Sequence, residues 1–185
     1  LCYLLGSIPF SYIFVRLLKG YDIRKHGSGN VGSTNVLRTS GKLIALAALT
    51  GDLLKGVLAA WLGLHFGGEQ LACICAIAAV LGHCWSVFLG FKGGKGVATS
   101  AGIALFLMTK ATIVLLIIFI LIVVVSRYVS LASISVAALL PLMAFVFQKP
   151  NQLLIMSIVL AVLVIYQHRE NISRLRNGTE GKIGR

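Results

Sequence analysis

Residues 111–126 read ATIVLLIIFILIVVVS, and this stretch decides the fold. Thr112 and Ser126 are its only polar side chains, and it carries no charge. An uncharged apolar run of this length suits lipid as a solvent better than water, and it predicts a helix that crosses a membrane.

Comparable apolar runs recur along the whole chain. Of its 185 residues, 58% are hydrophobic and 12% are charged, whereas a soluble domain is roughly half apolar and about a quarter charged. We therefore predict an all-α integral membrane protein in which residues 1–185 form one domain with about seven transmembrane helices. The fourth span is short, and it is predicted to begin as a re-entrant or half-buried helix. The predicted spans are 1–18, 43–66, 71–90, 96–109, 111–126, 130–147 and 152–167.

Basic residues concentrate on one side of this predicted membrane domain. Cytoplasmic loops carry the excess of Lys and Arg, so the N-terminus is predicted outside and the C-terminus in the cytoplasm. The net charge of +12 then reflects topology, and no nucleic-acid partner is expected. Fourteen of the 17 Lys and Arg residues lie in the predicted inside loops and tail: Arg16, Lys19, Arg24, Lys25, Arg38, Lys42, Lys92, Lys95, Arg127, Arg169, Arg174, Arg176, Lys182 and Arg185.

The first inside loop contains the sequence GSGNVGSTNVLR at residues 27–38. Three glycines in six residues let the backbone take positive φ and turn its N–H groups inward, which is the pattern of an anion-binding nest. Arg38 adds a planar guanidinium group whose paired N–H donors suit phosphate. The alternative is a capped turn, but twelve small, polar or loop residues ending in Arg exceed what a cap needs. The candidate anion ligands are Ser28, Gly29, Asn30, Gly32, Ser33, Thr34 and Asn35.

The second inside motif, GHCWSVFLGFKGGKGVAT at residues 82–99, resembles a nucleotide P-loop only superficially. The glycine spacing is too short, and Gly96 stands where a Mg²⁺-binding hydroxyl is required. A Gly-rich turn followed by a helix near Val97 still supplies amides, a positive helix end and an ammonium group to a phosphate. His83 is either a hydrogen-bonded helix residue or a direct ligand. The candidate ligands here are His83, Gly93, Gly94, Lys95, Gly96 and Thr99.

Three further patterns are weaker by themselves. Arg127 either binds an anion or merely reaches the membrane interface, while Ser130 and Ser133 lie one turn apart on the following helix. His168 and Asn171 share a helical face where the last span leaves the bilayer. Asp52 and Lys55, three residues apart inside the second span, are predicted to form a structural ion pair in preference to a catalytic one. These residues are all polar positions in or beside apolar spans.

Several kinds of catalytic apparatus are missing from the sequence. No two of the five carboxylates are adjacent, and no His, Cys and carboxylate set has metal-ligand spacing, so no metal is expected. There is no Gly-x-Ser-x-Gly elbow and no His followed five positions on by Asp. A phosphate site of this kind fits a reaction that needs little help from a base or nucleophile. The cysteines are expected to pack in the apolar interior: Cys2, Cys73, Cys75 and Cys84.

Taken together, these motifs resemble those of the bacterial acyl-phosphate-dependent glycerol-3-phosphate acyltransferases, the PlsY family. The matching motifs are residues 27–38, 82–99 and 127–133, together with the His-x-x-Asn exit and the intramembrane Asp-x-x-Lys-Gly. They occur in order and cover essentially the whole chain. Ser33 stands where Ala is usual and Ser86 where Pro is usual, and neither change removes a charge or a glycine.

The resemblance implies a multi-pass enzyme of the bacterial inner membrane, acting as a monomer without a cofactor. Its reaction would transfer a fatty acyl group from acyl-phosphate to the sn-1 hydroxyl of glycerol 3-phosphate. The first loop and Lys95 would hold the acyl-phosphate head group, and the acyl chain would lie among membrane lipid. The residues carried over as the reacting and glycerol 3-phosphate-binding set are Arg38, Lys95, Ser133, His168 and Asn171.

A phosphate or organophosphate transporter is the alternative from another class. Transporters commonly show internal repeats and binding sites at the membrane midplane. This sequence has no evident repeat, its motifs lie at one face, and its predicted outside loops carry none. A non-catalytic scaffold would explain the spans but not the polar loops.

Overall fold

The computed structural model describes residues 1–184, and over that range the regular secondary structure is helical throughout. Short 3₁₀ turns lie at Ile23–Lys25 and Val87–Leu89. Arg185, counted above among the basic residues of the tail, lies outside the described residues. The α-helices are α1 (Cys2–Ser7), α2 (Phe10–Lys19), α3 (Ser33–Thr39), α4 (Lys42–Cys84), α5 (Val97–Leu107), α6 (Thr109–Ser126), α7 (Val129–Val146), α8 (Asn151–Gln167) and α9 (Arg169–Arg176).

All seven predicted apolar spans form helices. Pro9 divides the first span into α1 and α2. The second and third spans join in the 43-residue helix α4, which breaks at Gly67 and Gly68, where both residues have non-helical backbone angles. This break lies between the predicted ends at 66 and 71.

The chain is an all-helical integral membrane protein. Within residues 1–184, four helical stretches are long and apolar enough to cross a bilayer, or five if α8 and α9, bent by 57°, form one span. Helix α5 has only 11 residues and is too short to span by itself, because a crossing needs about 20. The prediction of seven spans and the predicted orientation remain predictions.

Small residues allow the central helices to pack closely. A Cβ atom at Gly102 of α5 would clash with the backbone of Leu53 in α4, and one at Gly56 would clash with the backbone of Thr99. Close backbone approach at small residues is the usual way in which helices associate in lipid, where the hydrophobic effect does not drive them together. Helix α6, by contrast, is largely exposed and apolar, as expected for a helix facing lipid.

The polar loops meet at one end of the helix bundle, here called the polar end. Arg38 Nη2, at the end of α3, donates to the carbonyl oxygen of Gly181 at 2.8 Å. The backbone N–H of Ile183 donates to the Arg127 carbonyl, at the turn between α6 and α7, at 2.9 Å. Lys95, between α4 and α5, donates to Asn171 of α9. The tail therefore joins segments that are far apart in the sequence.

An ion pair lies inside the first arm of α4, which is the part of this helix before the break at Gly67. It confirms the predicted Asp52–Lys55 contact. The carboxylate of Asp52 is 2.7 Å from Lys55 Nζ, and both side chains are buried. Lys55 Nζ also donates to the carbonyl of Ile8, beside the break between α1 and α2, at 2.9 Å. The pair thus ties α4 to a carbonyl just past the end of α1, where the helix supplies no further N–H donors. Its purely structural role remains a prediction.

Candidate functional site

Asn35 shapes the first loop of the polar end. Its Oδ1 accepts the N–H of Ser28 at 2.9 Å, and its Nδ2 donates to the carbonyls of His26 (3.0 Å) and Asn30 (2.9 Å). The side chain is buried. It is therefore engaged by the loop backbone, although the sequence suggested a side-chain donor to the anion.

The bent loop leaves a run of backbone donors unused. Gly27 and Gly29 have φ of 59° and 71°, as predicted, whereas Gly32, at φ −104°, has the extended backbone that precedes α3. Among residues 1–184, the N–H groups of residues 30–34 donate to no protein acceptor. Five consecutive free amides fit the predicted anion nest. The side chains of Ser28, Asn30, Ser33 and Thr34 are exposed or half-buried along the same stretch.

The second loop is fixed to the end of α4 by its glycines. The N–H of Gly93 donates to the carbonyl of Cys84 at 3.0 Å, and that of Gly94 to the carbonyl of His83 at 2.9 Å. A Cβ atom at Gly93 would clash with the His83 carbonyl. Gly96 follows with φ of 81°, and α5 begins at Val97, as predicted. This close packing fixes the position from which Lys95 projects.

His83 and Thr99 point into the bundle. The His83 ring is buried, with Nδ1 3.5 Å from the Asp52 carboxylate and Nε2 against Gly94. Of the two roles left open for His83, this geometry favours support of the second loop over ligand contact. Thr99 is fully buried between α5 and α4, and its hydroxyl has no partner among the described residues. Thr99 therefore exposes no group that could make the predicted contact with substrate.

Lys95 is at the centre of the predicted reacting group. Its Nζ donates to Asn171 Oδ1, while Asn171 Nδ2 donates to Glu180 Oε1 at 2.7 Å. Arg38 and Arg174 supply further positive charge nearby. Burial, reinforced by the charge of Arg174, lowers the pKa of Lys95 to about 8.

His168 lies beside this group at the junction of α8 and α9. Its Nδ1 is 2.7 Å from the carbonyl oxygen of Val164. A carbonyl can only accept, so Nδ1 carries the proton and Nε2 keeps a lone pair. Burial lowers the pKa of His168 to about 4, with a further contribution from the nearby charge of Lys95. The imidazole is therefore neutral at physiological pH and is a weak base.

Ser133 is a buried member of the predicted set, and its hydroxyl bonds within its own helix. It donates to the carbonyl of Val129, in its own helix, at 2.8 Å. One turn earlier, Ser130 donates to Glu180 Oε1 at 2.8 Å. Arg174 Nε also donates to Glu180, at 2.7 Å to Oε2. Sequence reasoning did not assign Ser130, Arg174 or Glu180 to the site, because the fold-back of the tail that unites them leaves no local sequence pattern.

An apolar groove runs along the lipid-facing side of the first arm of α4. It encloses about 860 Å³ between that arm and the pair α1–α2. Lys55 lies at its floor and also lines a small polar pocket that includes His83 and Gly94. Other groove residues are Leu5, Phe10, Phe14, Leu46, Leu58 and Trp61.

Known proteins resemble the chain over almost its full length. The family model described as glycerol-3-phosphate acyltransferase matches residues 1–178. A glycerol-3-phosphate acyltransferase of Syntrophomonas wolfei is 63% identical, with 99% of this chain and 94% of that protein aligned. One from Alkaliphilus metalliredigens is 49% identical over 99% of this chain and 93% of its own length.

Two crystal structures of one integral membrane enzyme have the same fold. They are the glycerol 3-phosphate form and the lysophosphatidic acid form of PlsY (YgiH), a glycerol 3-phosphate acyltransferase. The first superposes with a TM-score of 0.95 and the second with 0.93. Each is 42% identical and covers 99% of this chain and 92% of the solved chain.

Proposed function

We propose, because this chain belongs to the glycerol-3-phosphate acyltransferase family, that it transfers a fatty acyl group from acyl-phosphate to the sn-1 hydroxyl of glycerol 3-phosphate. The products are lysophosphatidic acid and inorganic phosphate. The reaction takes place at the polar end, which faces the cytoplasm from the bacterial inner membrane, and the enzyme acts as a monomer without a metal or cofactor.

The observation that carries this proposal is the convergence, at the polar end, of two sets of groups whose chemistry suits phosphate. One set is the run of free amides at residues 30–34. The other is the cluster of Lys95, Arg38 and Asn171. Val31 and Gly94 line the same small pocket, so the two loops border one cavity. Both substrates carry a phosphate group, and each set is suited to one of them.

The donor assignment follows from what these residues can and cannot do. An acyl-phosphate is an activated mixed anhydride, so the acyl carbon is attacked readily and phosphate leaves readily. The new ester bond forms between the sn-1 oxygen and the acyl carbon, and the bond from that carbon to the phosphate oxygen breaks. The hydroxyl proton passes to an oxygen of the departing phosphate. The Lys95 ammonium stabilises the negative charge that develops on the phosphate.

His168 positions the attacking hydroxyl in this scheme. Its free Nε2 can accept a hydrogen bond from the sn-1 hydroxyl, but a pKa of about 4 makes it too weak a base to remove that proton efficiently at neutral pH. Catalysis then rests mainly on orientation and on charge stabilisation, of which orientation alone can contribute roughly 7–11 kcal/mol.

The apolar groove beside α4 is suited to the acyl chain of the donor. It is lined almost entirely by apolar side chains, and those of Leu46 and Trp61 are exposed, as suits a groove that is open to lipid. Lys55 links its floor to the pocket beneath Gly94. A donor bound there could keep its chain in contact with lipid while its head group reaches the polar end.

The test is phosphate release by the purified protein in detergent or lipid mesophase. Acyl-phosphate with glycerol 3-phosphate should release phosphate without added metal, and acyl-CoA should not replace the acyl-phosphate. Lys95→Ala and Arg38→Ala should each lower the rate by about 100-fold or more. Lys92→Ala is the matched control, because Lys92 is an exposed lysine of the same loop.

Activity with acyl-CoA alone would overturn the donor assignment. If folded protein released no phosphate and instead moved labelled phosphate across sealed vesicles, the enzyme proposal would fail and a transporter would replace it. Full activity in Lys95→Ala would remove Lys95 from the mechanism while leaving the family assignment intact.

A further inference from the structure

The tail beyond α9 folds back over the polar end. The N–H of Thr179 donates to the carbonyl of Arg174 at 2.9 Å, which reverses the chain direction. Gly181 then accepts from Arg38, and Ile183 donates to Arg127. Residues 179–183, here called the strap, therefore touch α3, α9 and the α6–α7 turn. The family model matches only residues 1–178, so the strap lies beyond that match.

Glu180 is the buried residue of the strap, with 9% of its surface exposed. Its carboxylate accepts from Ser130 at 2.8 Å, from Asn171 at 2.7 Å and from Arg174 at 2.7 Å. Burial alone raises the pKa of a carboxyl group, but these three donors hold the pKa of Glu180 below its usual value. The side chain is therefore ionised at neutral pH, and it is bonded on both oxygens.

These contacts fix which way the Asn171 amide points. With Nδ2 donating to Glu180, the amide oxygen faces the Lys95 ammonium. A half-turn of the amide would put its NH₂ group against the ammonium and its oxygen against the carboxylate. That arrangement places donor against donor and acceptor against acceptor. Glu180 thus selects one of two otherwise similar amide orientations.

Glu180 also sets the charge of the site. The charged groups that face Lys95 are Arg38, Arg174, Glu170 and Glu180. Glu170 is exposed, with 76% of its side-chain surface accessible, and lies 3.9 Å from Arg174. Glu180 is therefore the buried counter-charge to three cations, and it leaves a surplus of positive charge for a phosphate dianion.

We propose that Glu180 is a positioning residue for glycerol 3-phosphate: its carboxylate holds Asn171 and Arg174 in the arrangement that receives the substrate beside Lys95. The proposal rests on the proposed function, since it concerns the same acceptor site. It gives the strap a part in the reaction that neither the motifs nor the family match assigns.

The experiment compares Glu180→Ala and Glu180→Gln with Glu170→Gln, an acidic residue of the same neighbourhood that is exposed. Each protein is assayed for the KM of glycerol 3-phosphate, for kcat and for the pH profile. Calorimetry of glycerol 3-phosphate binding without any donor gives a second measurement that does not depend on turnover. Thermal unfolding in detergent checks that each variant is folded.

We expect Glu180→Ala to weaken glycerol 3-phosphate binding about tenfold or more, as the loss of charge-assisted hydrogen bonds does. Glu180→Gln keeps an acceptor and should lose less. In both, the alkaline limb of the rate profile should move to lower pH, because the Lys95 ammonium loses a stabilising neighbour. Glu170→Gln should resemble the wild type. In an Asn171→Ala background, the effect of Glu180→Ala on binding should shrink, because the two residues act through one another.

Unchanged binding and an unmoved alkaline limb in both Glu180 variants would overturn the proposal. Tighter binding in Glu180→Ala would also overturn it, and would make the strap a competitor of the substrate. If the wild type binds glycerol 3-phosphate but releases no phosphate from acyl-phosphate, the donor assignment fails and the binding comparison still decides the role of Glu180. If the wild type does not bind glycerol 3-phosphate, both proposals fall.

Discussion

Burial lowers the pKa of two neighbouring bases of the polar end, with different consequences for their charge at physiological pH. It lowers the pKa of His168 to about 4, so that this imidazole stays neutral throughout the physiological range. It lowers the pKa of Lys95 to about 8, so that this ammonium loses its proton close to that range. The group whose titration can control the rate is therefore the lysine and not the histidine.

The rate should consequently fall as the pH rises through about 8. Lys95 is protonated below its pKa, and the proposed mechanism needs the charged form, so the loss lies on the alkaline side. Phosphate release measured from neutral to alkaline pH gives the profile. In Lys95→Arg the guanidinium stays charged, so the remaining, lower activity should lack this alkaline limb. If the alkaline limb persists unchanged in Lys95→Arg, the titration behind it belongs to another group.

Local patterns predicted the backbone of the candidate site better than the directions of its side chains. The positive φ of Gly27 and Gly29 and the start of α5 at Val97 follow from short-range rules about glycine and helix ends. The inward direction of His83 depends on Asp52, which lies 31 positions away in the sequence. The position of Glu180 depends on three partners from α7 and α9, and no local sequence pattern predicts these contacts.

At the scale of elements, short tethers between helix ends position the site. The loop that carries Lys95 is held by two backbone hydrogen bonds to the end of α4, at Cys84 and His83. Ser86 adds a third tether by donating to the carbonyl of Ser7 at 2.6 Å. Because the loop is short and its glycines touch backbone, it has little freedom to move a side chain.

Gly93→Ala should therefore lower activity about 10- to 100-fold, since small displacements of a reacting group have effects of that order. The added methyl group would meet a backbone carbonyl, which cannot rotate away. Gly90→Asn is the control: Gly90 has φ of 63° with open space around it, and Asn tolerates that conformation. Initial rates on folded variants make the comparison. Equal rates for both would show that the loop can shift without loss.

The Asp52–Lys55 pair should matter for stability more than for chemistry. Asp52→Asn leaves the buried Lys55 without its counter-charge, which should lower the stability by about 3–5 kcal/mol and reduce Tm in detergent. The double variant Asp52→Leu/Lys55→Met removes both charges and should recover much of that loss. A double variant as unstable as the single one would mean that the charges themselves are required.

The helices were predictable to the extent that hydrophobic length defines them. All seven apolar stretches are helical, and the glycines at 67 and 68 mark the break in α4. Two features were less evident from hydropathy: the division of the first span at Pro9, and the tail beyond α9 folding back onto the bundle. Proline is a local helix breaker that a hydropathy pattern does not record, and the position of the tail depends on contacts with distant segments.

For the whole molecule, the central prediction is its orientation in the bilayer. Lys110 lies at the start of α6 and Lys92 in the polar end, and both are exposed. Lys110→Cys should react with a membrane-impermeant maleimide on intact spheroplasts, and Lys92→Cys only after permeabilisation. The unsubstituted protein is the background control: Cys2, Cys73 and Cys84 are buried, and the half-buried Cys75 is the native thiol whose labelling it would reveal. The opposite labelling pattern would reverse the assigned orientation.

The gathering of the Gly-rich loops and the tail at one end of the bundle has a consequence for the membrane itself. A donor whose chain stays in the groove and whose head group reaches the polar end never leaves its own leaflet, and neither does the product. In the proposed reaction, each turnover replaces one single-chain amphiphile of that leaflet by another, and it delivers no product to the opposite leaflet. An enzyme that works in this way leaves its product on one side of the bilayer, so the supply of that lipid to the other side must depend on other proteins that move lipid across.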